Sequence, residues 1–437
     1  MWTYHPELLE TPVPRYTSFP TAAEFGPGVG ATDLAQALAA SSGDVSLYAH
    51  IPFCEKICWY CGCNTSAANK AQRLSSYLDA LHREIAITGV RLGRDVSVRR
   101  VAFGGGSPNA ISPTDFVRLI DAITLHMPLD YPEWSIELDP RTLSAEWGQV
   151  LGWVGVHYAS LGVQTFDPAL QAAIGRVQPD ADIVRAVDLL RTNGISSLNF
   201  DLMYGLPGQS LFELEATLDR AVQLEPDRIA LFGYAHVPHL LPRQRRIDGS
   251  ALPDQAARFE MAEFGYRLLT AAGHVAIGFD HFAKPNDPMA KALDRGRLHR
   301  NFQGFTDDPA KVLVGLGASA IGCYPDLLVQ NEKNAGRYRM SLSQDLLPAS
   351  GGVRRSPDDQ RRGAVIEALL CYGNASLDPD LAAEAAARLA PFAARGLAVL
   401  AGEVLTIAPE GLPYARTIAA LFDPYRQDSV HRFSSAV

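Results

Sequence analysis

The sequence predicts an α/β fold built on a parallel sheet. Six short β-like runs punctuate the first half of the chain, with amphipathic, helix-like segments between them. Strands alternating with helices in this way build right-handed βαβ units. Residues able to do chemistry also collect at the ends of these runs, where parallel sheets carry their sites. The pattern accommodates a partial barrel of six βα units, open where an eight-stranded barrel closes, or a doubly wound open sheet.

The runs are Ser46–Ile51, Arg100–Gly104, Trp134–Asp139, His157–Val163, Ser197–Tyr204 and Arg228–Ala235. Helix-like segments include Ala71–Thr88, Pro113–His126, Ala181–Thr192 and Leu211–Leu224. A cysteine cluster follows the first run, Gly104–Ser107 end the second, Glu137 the third and Gln164 the fourth. Asp201 lies within the fifth, and Tyr234–His236 finish the sixth. Beyond about residue 275 the pattern turns irregular around GRLHRNFQGF, and Ser350–Gly352 read as a linker. Pro357–Leu370 and Pro379–Leu389 read as helices, GLAVLAGEVLTIAPEG as a small hairpin, and Leu412–Leu421 as a last helix.

At 437 residues the chain exceeds one ordinary domain, and a 47% hydrophobic composition supports a substantial core. The net charge of −9, from 39 basic and 48 acidic residues, weighs against a nucleic-acid binder. MWTYHPELLETPVPRY has no apolar signal core, and no uncharged apolar run reaches membrane-spanning length. The expectation is a soluble, cytoplasmic protein without membrane insertion. No fixed-period repeat is visible.

Four of the six cysteines fall within ten residues, at Cys54, Cys58, Cys61 and Cys63. In a reducing compartment such crowding points to metal or redox chemistry rather than disulfides. The first three give C-x3-C-x2-C, and three thiolates hold three corners of a [4Fe–4S] cluster while one iron stays open. The competing readings are a structural zinc site and inert buried thiols. Zinc sites usually pair two knuckles well apart in sequence, whereas Cys323 and Cys371 stand alone downstream.

This cysteine motif after a first strand resembles that of the radical S-adenosylmethionine superfamily. Nearly the whole chain is similar to the oxygen-independent coproporphyrinogen III oxidases. The likeness runs through PRYTSFPTAAEF, LYAHIPFCEKICWYCGCNT, FGGGSP, IELDPRTL, SLGVQTFDPALQAAIGRVQ, NFDLMYGLPGQ, YAHVP, GFDHFAKP, LHRNFQGFT and GASAIG. It implies a partial (β/α)6 radical S-adenosylmethionine barrel with a smaller, mainly helical C-terminal domain. The implied divisions are an N-terminal arm over the active site (1–39), a barrel core (40–275), a pocket-completing segment (276–348) and the C-terminal domain (349–437).

The resemblance further implies that Cys54, Cys58 and Cys61 ligate one [4Fe–4S] cluster with one open iron. Cys63 matches the family's fourth cysteine, which is not an iron ligand. Tyr48, Tyr60, Gly105 and Glu137 match positions around a cluster-bound S-adenosylmethionine. Gly106, Ser107, Gln164, Arg176, Asp201, Ala235 and Ile321 match positions around a second, so two molecules per chain are expected. The chain departs from the family pattern at Ser107 and Asn109, where threonines are commoner, at Gly233, where asparagine is frequent, and across Asp307–Val314.

The implied reaction is oxidative decarboxylation of coproporphyrinogen III to protoporphyrinogen IX. A 5′-deoxyadenosyl radical takes a propionate hydrogen, and no side chain is needed as the abstracting base. Arg15, Arg243, Arg245, Arg246, Arg300 and Gln303 are candidates for the substrate carboxylates, although most of the R-Q-R-R run reads as solvated surface. His50 and His281 read as polar pocket residues or satisfied structural histidines, with the structural reading slightly favoured. The expected partners are a reduced flavodoxin or ferredoxin-like electron donor and an unidentified terminal acceptor, serving a monomer. The alternatives are a related haem chaperone without oxidase activity and a radical enzyme acting on another tetrapyrrole. PRYTSFPTA, Cys63 and the pair Arg176 and Asp201 favour the oxidase.

Overall fold

The computed structural model describes residues 2–428. One sheet of twelve strands organises them. Its first six strands are β1 (Gly43–Ile51), β2 (Val96–Gly105), β3 (Leu129–Leu138), β4 (Val156–Gln164), β5 (Ser197–Tyr204) and β6 (Arg228–Gly233). They pair parallel in chain order, as the alternation of runs and helices predicts. Helices Ala71–Gly89, Pro113–His126, Ala145–Val154, Asp180–Thr192, Leu211–Gln223 and Gln255–Ala271 follow them in turn. Ser112, Ser144, Ser210 and Asp254 cap four of these helices by accepting backbone N–H bonds. Each such cap is worth about 1 kcal/mol.

Strand parity separates a barrel from a doubly wound sheet. Val101, Ile136, Leu161, Leu198 and Phe200 lie in the apolar core. The residues alternating with them, among them Arg100, Ala102, Ser135, Glu137, Ser160, Asn199 and Asp201, surround an internal cavity. A sheet covered by helices on both faces has no place for such an inward polar row. The sheet therefore curls into a partial barrel.

The irregular stretch after residue 275 builds both sheet edges. Strands β7 (Val275–Ile277) and β8 (His281–Ala283) form a hairpin antiparallel to β6. On the other side β9 (Val312–Leu316) lies parallel to β1, a seventh parallel strand that the irregular pattern concealed. Then β10 (Ile321–Tyr324), β11 (Leu327–Asn331) and β12 (Ala349–Arg354) continue antiparallel. The expected linker Ser350–Gly352 is thus a strand. Its glycines allow close approach: a Cβ on Gly352 would lie 2.2 Å from the Leu328 carbonyl oxygen.

The C-terminal region carries helices Pro357–Tyr372 and Pro379–Ala393 and a small sheet of Asn374–Ser376, Ala398–Ala401 and Val404–Ile407. The expected last helix is broken into a 3₁₀ turn Pro409–Tyr414, a short helix Ala415–Ala419 and another 3₁₀ turn Ala420–Phe422. Pro413 lacks the N–H a continuous helix needs. Leu9, Val13, Tyr16 and Phe19 of the arm share a core with Val365, Leu369, Leu389 and Phe422. Polar anchors hold the arm down as well: Tyr16 Oη donates to Asp423 Oδ2 (3.0 Å), and Arg300 donates to the carbonyls of Arg15 (2.9 Å) and Tyr16 (3.3 Å). Among the described residues, no helix is long and apolar enough to cross a membrane.

Candidate active site

The cysteine loop leaves the C-terminal end of β1. Phe53–Cys54 pair with Ser66–Ala67, which fixes both ends of the loop. Arg176 Nη1 donates to Cys58 Sγ (3.2 Å) and Arg141 Nη2 approaches it at 3.6 Å. Arg141 also holds the Lys56 carbonyl (3.2 Å) and is paired with Asp139, whose carboxylate lies 3.5 Å from Arg176. The buried Gln244 closes the other side. Its amide donates to the carbonyls of Tyr60 (2.8 Å) and Ala235 (3.0 Å), and its oxygen accepts from Val237 N–H (2.6 Å).

Burial, then Cys61 and Cys58, push the Cys54 thiol up to about 12. Hydrogen bonds from Cys63, with Arg243 and Arg176 behind them, hold Cys61 down to about 6 against its burial. The thiols thus crowd at a point that needs positive charge for all to ionise. Among the described residues, no three His, Cys, Asp or Glu converge on one metal-ion position. Three thiols on one short loop, with Arg176 and Arg141 beside Cys58, fit a cluster that would hold each thiolate on a separate iron.

The end of β2 supplies a cradle without side chains. A Cβ on Gly105 would lie 2.5 Å from His50 Cε1, and one on Gly106 would lie 2.5 Å from the Phe53 carbonyl oxygen. Gly105 also has φ +111°, outside the range L-residues favour. Gly105→Ala is expected to destabilise the protein by about 2–4 kcal/mol, from backbone strain and overpacking together. Denaturant unfolding checks this, and a change within 0.5 kcal/mol would reject the crowding argument. Beside the cradle, Glu137 accepts from Gly105 N–H (3.2 Å), while burial and then Asp201 push its carboxyl up to about 7.

Gln164 ends β4 at φ +68°, next to a register shift that turns it over the barrel mouth. Asp201 accepts from Ser160 Oγ (3.1 Å) and Asn199 Nδ2 (2.9 Å), and burial raises its pKa. A cavity of about 470 Å³ brings together Cys54, Cys58, Cys61, Tyr60, Gly105, Gly106, Ser107, Glu137, Gln164, Arg176, Asp201 and Ala235. Below it a second cavity of about 390 Å³ fills the barrel, reaching Gln303, His281, Arg100 and Arg228. Glu137, Ser160, Asp201 and Phe232 border both.

Not every candidate lies in these walls. Tyr48 bonds to His50 Nδ1 (3.1 Å) and packs on Phe302, and Ile321 pairs with Gln330 in the sheet. Arg176 faces the cavity, but the Gly162 carbonyl, Gln178, Cys58 and Asp139 engage its donors. Arg15 reaches the mouth, donating to the Gly233 carbonyl (3.1 Å) over the Phe232 ring. Arg243 bonds to Thr65, Arg245 is exposed and Arg246 lies over Trp59. His50 is buried, which pulls it down to about 4 and keeps it neutral, while His281 pairs with Asp280. Sequence reasoning missed Asp139, Arg141 and Gln244. The first two stand in IELDPRTL, two and four residues past Glu137, whereas nothing marks Gln244 within its arginine run.

Comparison with known proteins bears on this arrangement. The radical SAM superfamily matches residues 48–221. The oxygen-independent coproporphyrinogen III oxidase of Bradyrhizobium diazoefficiens is 40% identical, with 98% of each chain covered. That of Pseudomonas aeruginosa is 39% identical over 94% of this chain and 93% of its own. The structure of coproporphyrinogen III oxidase from Escherichia coli, described as a radical SAM enzyme, superposes with a TM-score of 0.90. It is 33% identical, covering 97% of this chain and 99% of that one.

Proposed function

We infer that this chain, which belongs to the family of oxygen-independent coproporphyrinogen III oxidases, holds its cluster on Cys54, Cys58 and Cys61. It is a radical S-adenosylmethionine oxidoreductase of porphyrin and haem biosynthesis, acting on coproporphyrinogen III. The names of its relatives support this activity and not that of a haem chaperone. The observation that carries the site assignment is the convergence of three cysteines, a glycine strand end and the Glu137 carboxyl on one cavity.

The [4Fe–4S] cluster and S-adenosylmethionine, when bound, supply the 5′-deoxyadenosyl radical that takes hydrogen from a substrate propionate. The protein's own part is to bind, orient and exclude water. Arg141 and Arg176 screen the Cys58 thiolate. Gly105 and Gly106 let the strand end pack closely on His50 and Phe53 where it borders the cavity, and Glu137 offers a carboxylate to the cofactor's amino group. Ser107, Gln164, Asp201 and Ala235 are the second cofactor's candidate contacts at the barrel mouth, and the arm with Arg15 closes over them. A reduced flavodoxin or ferredoxin-like donor would serve a cytoplasmic monomer.

Anaerobic turnover of cluster-loaded protein with reductant, S-adenosylmethionine, coproporphyrinogen III and an acceptor should yield protoporphyrinogen IX by chromatography. Tight haem binding without decarboxylation, despite active cofactor cleavage, would sink this reading. Equilibrium binding of S-adenosylmethionine should approach two molecules per chain. Asp201→Ala should lower that to one while leaving iron content unchanged, and a wild-type stoichiometry of one at full cluster occupancy removes the second site.

A further inference from the structure

The 3₁₀ turn Pro242–Arg246 packs along the cysteine loop. Gln244 ties it to the Tyr60 carbonyl (2.8 Å), Arg243 Nη1 donates to Thr65 Oγ1 (3.0 Å), and Arg246 lies 6.0 Å over the Trp59 ring. Ile247, which ends the turn, is buried with Leu206 in a cluster against which Trp59 and Tyr60 also pack. Turn and loop therefore rest on one base. The sequence offers these arginines for the substrate carboxylates, yet Arg243, Arg245 and Arg246 line neither large cavity. Arg245 and Arg246 are exposed and send their charge into solvent.

This face differs in sign from the molecule that carries it. The chain has a net charge of −9, whereas residues 54–65 and 239–248 hold Lys56, Arg243, Arg245 and Arg246 against Glu55 and Asp248. Among the described residues, no ion pair neutralises any of these four cations. Two apolar side chains stand uncovered beside the same loop. Val177 follows the Arg176 that donates to Cys58 and is 61% exposed, and Leu240 precedes the Leu241 that packs over Gly62 and is 53% exposed. Exposed apolar side chains among unpaired charges suit a transient protein interface.

We propose that this face docks an acidic protein carrying a low-potential one-electron centre and seats that centre against the cysteine loop. The proposal rests on the cluster reading. In that reading the reduced carrier loses one electron for each cofactor molecule cleaved, and the cysteine-bound cluster receives it. Electron transfer slows steeply with distance, so a carrier seated on the loop itself is favoured over one bound elsewhere. A chain of this net charge repels an acidic partner over most of its surface. The basic face thereby selects the orientation as well as the place of docking.

The test uses cluster-loaded full-length protein, an acidic flavodoxin as the probe, and dithionite as a small reductant that needs no docking. Oxidised flavodoxin, titrated by calorimetry at low ionic strength, should bind wild type. The double variant Arg245→Glu/Arg246→Glu should bind it about tenfold or more weakly. Added salt should weaken wild-type binding and scarcely change that of the variant. With reduced flavodoxin as donor, cofactor cleavage by the variant should fall by a similar factor; with dithionite it should keep the wild-type rate. If the double variant loses iron, Arg245→Glu alone gives the same reading, because that side chain is exposed. Unchanged flavodoxin affinity in the iron-loaded variant overturns the proposal. So does wild type that cleaves the cofactor with dithionite but neither binds flavodoxin nor takes its electrons. A variant that needs more coproporphyrinogen III under dithionite, with flavodoxin affinity unchanged, overturns it in favour of a substrate-carboxylate role. Wild type that cleaves no cofactor even with dithionite overturns the cluster reading instead, while the binding titration still decides the docking face.

Discussion

Cys58→Ala is expected to leave the protein without an intact [4Fe–4S] cluster. Iron and labile sulfide should fall to background in an anaerobic preparation, and the reduced-state paramagnetic signal should vanish. Reductive cleavage of S-adenosylmethionine should drop by about 1000-fold or more, equivalent to about 4 kcal/mol in the barrier. The physical reason lies in what faces the sulfur. Arg141 and Arg176 both point donors at Cys58, so alanine removes the proposed ligand and leaves the two cations with Asp139 as their shared counter-charge. Cys323→Ala and Cys371→Ala are the controls, because those thiols lie in the sheet and in a C-terminal helix and should keep the cluster. A full cluster in Cys58→Ala would overturn the ligand assignment.

Glu137→Gln should separate stability from cofactor binding, with opposite signs. The Glu137 carboxyl is pushed from its ordinary 4.5 up to about 7, by burial first and Asp201 second. The folded state therefore favours the protonated form. The associated stability is whole below about pH 4.5 and is lost as pH rises through 7. At pH 8 the ionised carboxylate costs the cofactor-free protein on the order of 1 kcal/mol, less than the full shift because Glu137 stays accessible to solvent in the cavity. The amide carries no charge to desolvate, so Glu137→Gln should melt higher than wild type at pH 8 and converge with it near pH 4.5. S-adenosylmethionine affinity should fall by about 30-fold, because a neutral amide replaces a charge-assisted partner of the amino group, a loss of about 2 kcal/mol. Equal melting at pH 8 would defeat the burial argument, and equal affinity would remove Glu137 from the cofactor site.

Much of this site was legible because its chemistry is written locally. Cys54 to Cys61 are contiguous, and Gly104–Ser107, Glu137 and Gln164 end strands whose alternation with helices is plain. The unread parts depend on distant pairing. Val312–Leu316 becomes a strand only because the edge of β1 is there to receive it. Ser350–Gly352 looks like a linker by composition, yet its glycines let β11 and the arm approach closely. Gln244 is chosen by three backbone groups on two loops, a geometry its neighbours in sequence do not announce.

The shared packing of arm and C-terminal domain also sets an order of assembly. Leu9, Val13, Tyr16 and Phe19 are made first; Phe259 of the barrel joins their cluster, but the other apolar partners run from Val365 to Phe422 and are made last. The strands and helices of the barrel all lie between those two groups in the chain. During synthesis the barrel can therefore complete its own core while the arm has only part of its packing, on Phe259 and Tyr266, and lacks the rest. Until Phe422 emerges, the Tyr16–Phe19 end of the arm lacks its C-terminal apolar partners.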